Sequence, residues 1–118
     1  MLKPLASLLL VASLLTPLPV VAQQLNPSDD KLLWCASAFY WLAGTAEDSG
    51  DTEEAALYDR WSQRLLEIAG ASLIEAGVLP ERIEALIAEY DQAALEQLGL
   101  PDAPHDVATC PDLLGPWR

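Results

Sequence analysis

The chain has 118 residues, 18 Asp and Glu against 6 Lys and Arg, and a net charge of −12 at pH 7. Nucleic acid and anionic membrane surfaces are therefore poor partners, because both are bound through clustered Lys and Arg. The acidic balance instead favours solubility, attraction of cations or a basic protein partner.

The N-terminal segment has the layout of a cleavable secretory signal. Lys3 precedes a Leu-rich run, and Pro17 and Pro19 are followed by Val20-Val21-Ala22. The prolines interrupt the apolar run after about a dozen residues, whereas a membrane span needs roughly 20. We therefore predict a signal peptide over residues 1–22 and one exported domain over 23–118. This domain is expected to be periplasmic or extracellular, from a bacterial source, with no stable membrane insertion after cleavage.

The first predicted helix covers residues 27–44. Asn26 or Ser28 can cap its start, Pro27 suits its first turn, and Gly44 can form a left-handed cap at its end. Residues 32–43 are apolar except Ser37. Twelve helical residues rise only about 18 Å, short of the roughly 30 Å hydrocarbon core of a membrane. Because this helix is apolar all round, we expect other elements to cover it on several sides.

Two amphipathic helices follow, over residues 51–76 and 80–98. Asp51 can cap the second helix and Gly77 can end it, and the third helix begins at Pro80 and stops at Gly99. Gly70, inside the second helix, suggests a bend or a close helix crossing. The tail, residues 99–118, contains four prolines and one predicted helical turn from Val107 to Cys110.

Cys35 and Cys110 are the only cysteines. In an exported protein such a pair predicts one disulfide, and a bond closing so long a loop stabilises by about 4.5 kcal/mol on chain-entropy grounds. The spacing matches no metal-ligand pattern, and one histidine cannot readily complete a tetrahedral site. The predicted fold is all-α: a small three-helix bundle with a Pro-rich C-terminal tail tied to the first helix by this disulfide. No cofactor is predicted.

Aromatic residues form the candidate binding surface. A domain this small cannot fully bury all of its large rings, since Trp and Tyr keep a polar edge satisfied. Core packing stays open as the alternative for each ring. The candidate residues are Trp34, Tyr40, Trp41, Tyr58 and Trp61.

Two other features are interpreted as structural. The acidic segment Glu47 to Glu54 is predicted to cap a helix, with a weak cation site as the alternative, although its spacing does not match a calcium loop. His105 is expected to be a surface histidine, because no nucleophile or metal-binding partner accompanies it in a recognisable motif. No catalytic residue is predicted.

Residues 42–62, LAGTAEDSGDTEEAALYDRWS, resemble the inner part of a tetratricopeptide unit through Leu42, Gly50-Asp51, Ala55 and Ser62. Ala43 replaces the usual glycine, and the resemblance covers one hairpin with no second copy. It implies a helical hairpin with close packing of small residues. The one-disulfide layout with its Trp34-Cys35 step is also similar to small periplasmic acid chaperones.

These observations favour a non-catalytic protein-interaction or binding module of the cell envelope, with an unidentified protein partner. An acid-responsive periplasmic chaperone is the alternative, and a small secreted enzyme is the third hypothesis.

Overall fold

The computed structural model describes residues 25–118, so the predicted signal peptide lies outside the described residues. Helix α1 spans Pro27–Asp48, α2 spans Thr52–Glu75 and α3 spans Pro80–Gln97. A 3-10 segment at Val107–Trp117, here called the tail helix, completes the order and is kinked at Gly115, whose backbone is not helical. Over residues 25–118 all regular secondary structure is helical, which confirms the predicted all-α class.

The predicted N-terminal caps are present. The Asp29 amide donates to Asn26 Oδ1 at 2.7 Å, and the Glu54 amide donates to Asp51 Oδ1 at 3.0 Å. Each side chain satisfies a backbone donor that the first helical turn leaves unpaired. Gly77 follows α2 with φ of 90°, a left-handed conformation that glycine adopts without a Cβ penalty.

The predicted end of α1 is wrong. Gly44 lies inside the helix, which continues to Asp48, and the left-handed residue is Gly50 with φ of 84°. The Asp51 amide donates to the Ala46 carbonyl at 2.9 Å and the Gly50 amide donates to the Glu47 carbonyl at 3.0 Å. These bonds satisfy the last carbonyls one turn later than predicted, because Gly50 can also form a left-handed turn.

Helix α1 occupies the centre of the fold. All eight residues from Leu32 to Phe39 are buried, as predicted for a helix that is apolar all round. α2 and α3 pack on different sides of α1 and touch each other little. The covering residues are Leu65, Ala69 and Leu73 of α2, Ile83, Leu86 and Ala94 of α3, and Cys110 and Leu114 of the tail helix. No helix within residues 25–118 is both long and apolar enough to cross a membrane.

Small residues set the closest contact between α1 and α2. The buried Ser62 hydroxyl donates to the Ala36 carbonyl at 2.8 Å, so the two helix backbones approach closely at this point. The close crossing predicted at Gly70 is absent, since a Cβ placed there would meet nothing within 4 Å. Of the hairpin residues 42–62, for which close small-residue packing was predicted, Ser62 makes such a contact, and its partner Ala36 lies outside that range.

The predicted disulfide joins Cys35 of α1 to Cys110 of the tail helix, with the two Cα atoms 5.5 Å apart. Both cysteines are fully buried. The tail helix is longer than the single predicted turn, because Pro111 does not end it. Proline fixes φ near −65°, a value that a 3-10 helix also uses.

The Asp30 carboxylate at the start of α1 joins three parts of the chain. It accepts a hydrogen bond from the Tyr90 hydroxyl of α3 at 2.5 Å, and its other oxygen lies 2.9 Å from His105 Nε2 in the loop before the tail helix. Burial, followed by the hydrogen bond to Asp30, raises the pKa of Tyr90 above its ordinary value of 10.0.

Replacing both cysteines by alanine should lower the free energy of unfolding by about 4 kcal/mol, because the unfolded chain regains the entropy of a long open loop. Urea denaturation of the oxidised protein and the double variant measures this difference. Amide exchange should rise most over residues 107–118. Unchanged stability and unchanged tail protection would contradict the structural role assigned to this bond.

Tyr90→Phe should destabilise the protein by about 1–2 kcal/mol at neutral pH, because it removes a hydrogen bond to a carboxylate. The raised pKa of Tyr90 means that the folded state holds its phenolic proton more tightly than the unfolded state. The resulting stability is complete below pH of about 10 and is lost as the pH rises above that value. The difference between wild type and Tyr90→Phe in urea denaturation should therefore shrink from pH 9 to pH 11, and a constant difference would refute this account.

Candidate functional site

A groove between the C-terminal half of α1 and the first half of α2 is the candidate site. Its volume is about 410 Å³. We call it the Tyr40–Trp41 groove. Its lining residues are Tyr40, Trp41, Ala43, Gly44 and Glu47 from α1, and Thr52, Ala55, Ala56 and Asp59 from α2.

The groove follows from helical spacing on both walls. On α1, residues 40, 44 and 47 recur every three or four positions and so share one face. On α2, residues 52, 55, 56 and 59 do the same. Four of the lining residues are Ala or Gly, whose short side chains leave room between the helices.

Tyr40 and Trp41 form the aromatic part of the groove. Their ring centroids are 5.0 Å apart with planes at 74°, an edge-to-face pair. The Trp41 indole N–H donates to the backbone carbonyl of Asp91 at 2.8 Å, which fixes that ring against α3. Tyr40 is 51% exposed. The Trp41 ring is therefore held in place, whereas the Tyr40 ring is accessible to solvent.

The groove is acidic as well as aromatic. Glu47 and Asp59 are both exposed, and neither forms an ion pair with another residue of the described range 25–118. The surrounding chain carries 18 Asp and Glu, so its field adds to that of the groove. A positively charged group is therefore attracted over a distance and can meet carboxylates and ring faces on arrival.

The five residues of the predicted binding surface lie in three different environments. Trp34 is 2% exposed, and its indole N–H donates to Gln97 Oε1 at 2.8 Å, so it belongs to the core. Tyr58 and Trp61 are half-buried and pack on Phe39, with ring centroids 5.8 Å and 5.3 Å from it. Only Tyr40 and Trp41 line the groove.

His105 is more enclosed than a surface histidine. Its side chain is 18% exposed, it lies beside Asp30, and its ring centroid is 5.6 Å from that of Trp34. The acidic segment contributes Asp51 as a helix cap and Glu47 to the groove. Within residues 25–118, no three His, Cys, Asp or Glu side chains are grouped closely enough to hold a metal ion.

Sequence reasoning did not identify Asp59, Ala55 or Ala56 as groove residues. A signal was present, since Ala43-Gly44 and Ala55-Ala56 are paired small residues on either side of the hairpin turn. Pairs of small residues are found both where two helices cross closely and where they leave a groove. The sequence alone does not distinguish the two cases, because the difference depends on how the helices are positioned.

No protein-family model, no curated protein and no solved structure matches this chain. The geometry and charge of the described residues are therefore the basis for a functional proposal.

Proposed function

We propose that this chain is a non-catalytic protein-interaction module of the cell envelope that binds a basic segment of a partner protein in the Tyr40–Trp41 groove. In this proposal a three-helix bundle, closed by a Pro-rich tail, is the rigid scaffold. The exported location is supported by the buried disulfide, because such bonds persist in oxidising compartments.

The observation that carries the proposal is the combination of an exposed ring with two carboxylates at a groove that four small residues also line. A Lys or Arg side chain suits this arrangement, because its aliphatic stem packs on apolar atoms while its charged end meets carboxylates and ring faces. The short Ala and Gly side chains leave space for that stem between the helices.

The geometry favours a peptide segment over a lone cation. Metal ions require several oxygen ligands that converge on one point, whereas this groove spreads its two carboxylates and two rings over two helix faces. An extended basic segment can use these groups together and gains affinity from each.

Binding should be measured by recording amide chemical shifts of the oxidised protein during titration with a tetralysine peptide. We expect shifts at Gly44, Ala55 and Ala56. The variant Glu47→Gln/Asp59→Asn should bind about tenfold more weakly, because two charge contacts are removed. Tyr40→Ala should weaken binding about threefold through loss of one ring face.

The matched control is Glu81→Gln/Glu84→Gln, which makes the same change in net charge on exposed residues of α3. It should leave groove affinity nearly unchanged. Equal weakening by the two double variants would show that the peptide responds to overall charge, and the groove would lose its assigned role.

An acid-responsive chaperone is the second candidate function, favoured by the contacts of Asp30. Near pH 2 carboxylates are neutral, and the five Lys and Arg of residues 23–118 together with His105 leave a charge of about +6. The acidic surface then becomes basic, and the loop before the tail helix is held to the start of α1 through the contact of His105 with Asp30. Loosening of the tail would expose apolar surface for an unfolded client.

Acid exposure should therefore increase the binding of a hydrophobic dye and suppress aggregation of an acid-unfolded enzyme. Asp30→Asn, which removes the charge in contact with Tyr90 and His105, should move the onset of dye binding to higher pH. A protein that neither binds the dye nor protects the enzyme between pH 2 and 3 is not such a chaperone.

A further inference from the structure

A smaller cavity, with a volume of about 200 Å³, lies between α2 and the end of the tail helix. We call it the basic corner. It is independent of the Tyr40–Trp41 groove and has the opposite charge. Its lining residues are Leu57, Arg60, Trp61, Arg64, Trp117 and Arg118.

The basic corner concentrates positive charge in an acidic chain. Three of the five Lys and Arg of residues 25–118 line it. Arg64 contacts Glu67 at 3.1 Å, and Arg118 contacts Asp112 at 3.4 Å. Arg60 forms no ion pair among the residues that the structure describes. Two of the three guanidinium groups are therefore paired with side-chain carboxylates, and that of Arg60 is not.

Arg64 carries an unsatisfied donor. Its Nε is the one buried side-chain nitrogen or oxygen atom between residues 25 and 118 that lacks a hydrogen-bond partner. Its guanidinium carbon lies 4.4 Å from the centre of a Trp117 ring, so the group is held against an aromatic face. Buried donors are normally paired in folded proteins, and this exception lies beside a cavity.

The three lining residues that are not arginines give the cavity flat and apolar surfaces. Trp117 is 62% exposed, Trp61 is half-buried, and Leu57 adds an aliphatic surface. A guanidinium group recognises carboxylates through its planar fork of donors, and indole faces accept flat apolar groups. The two kinds of lining residue thus favour a ligand with one anionic end and one flat apolar part.

We propose that the basic corner binds a carboxylate carried next to a flat apolar group. Arg60 is the lining guanidinium group without an ion-pair partner among residues 25–118, and its planar fork of donors suits a carboxylate. Two sources share this chemistry: a free aromatic carboxylic acid, and the C-terminal carboxylate of a peptide that ends in an aromatic residue.

The disulfide assembles this site. Leu57, Arg60, Trp61 and Arg64 belong to α2, whereas Trp117 and Arg118 belong to the chain that follows Cys110. Buried Leu114 fixes the tail helix, and Gly115 adopts φ of 57° just before the final residues. Loss of the bond between Cys35 and Cys110 should therefore remove one wall of the cavity together with one of its guanidinium groups.

The test uses the oxidised full chain and 3-phenylpropionate as the probe, followed by Trp indole and Arg side-chain shifts. Saturable shifts at Trp61, Arg64 and Trp117 are expected at millimolar probe concentrations. The neutral isostere 3-phenylpropanamide and inorganic phosphate should each bind at least about tenfold more weakly, because one lacks the charge and the other lacks the flat group.

Arg60→Gln should weaken binding of 3-phenylpropionate about tenfold through loss of a charge-assisted contact. The matched control is Arg82→Gln, which removes an exposed arginine of α3 that is paired with Glu89. It should leave the affinity unchanged. Both substitutions are on the surface, and circular dichroism verifies that each variant is folded. Cys35→Ala/Cys110→Ala should abolish binding.

A second experiment distinguishes the two possible sources of the carboxylate. It uses a short peptide ending in Gly-Phe, once with a free and once with an amidated C-terminus. Tighter binding of the free-carboxylate peptide than of 3-phenylpropionate identifies a peptide terminus as the ligand, and the reverse order identifies a small acid. The proposal is overturned if neither carboxylate probe gives saturable shifts, or if the amides bind as tightly as the matching carboxylates. It is also overturned if Arg60→Gln and Arg82→Gln weaken binding equally. None of these results depends on the Tyr40–Trp41 groove.

Discussion

The burial of α1 on every side is the constraint on which the other contacts depend. Its eight residues from Leu32 to Phe39 are all buried, so no single neighbouring helix can cover it. α2, α3 and the tail helix each cover one side, and the disulfide keeps the smallest of these covers in place. α2 and α3 accordingly depend on α1 for their positions and contact each other little.

Polar groups within this apolar centre determine how the covers are aligned. The Ser37 hydroxyl donates to Asp91 Oδ1 at 2.6 Å, and the Trp41 indole N–H donates to the backbone carbonyl of the same residue. The Ser62 hydroxyl aligns α2 in the same way through Ala36. Because an unpaired buried polar group costs about 1–3 kcal/mol, these bonds favour one arrangement of the helices over shifted ones. The Tyr40–Trp41 groove follows from that arrangement, since Trp41 is fixed by α3 while α2 supplies the opposite wall.

The helices could be predicted from the sequence because the spacing of apolar residues and the capping residues act over short distances. The disulfide could be predicted because two cysteines allow only one pairing. The central position of α1 followed from a run of residues that is apolar on every face. It could not rank the aromatic residues by exposure. An all-apolar helix has no polar face to mark its outer side, so Trp34 and Tyr40 looked alike. The contact between Asp30 and His105 and the meeting of Arg64 with Trp117 join residues far apart in the chain, and both depend on how the tail lies on the helices. The end of α1 was misplaced because Gly44 and Gly50 can each form a left-handed turn.

The central position of α1 also has a consequence for biosynthesis. The helix that needs the most cover is made before any of its covers, because translation proceeds from the N-terminus. Until α2 and α3 have emerged, the residues from Leu32 to Phe39 have no helix to pack against. Cys35 cannot form its disulfide until Cys110, 75 residues later, has been made. The nascent chain therefore exposes this apolar segment until the later helices have been made, and the fold cannot close before Cys110 has emerged.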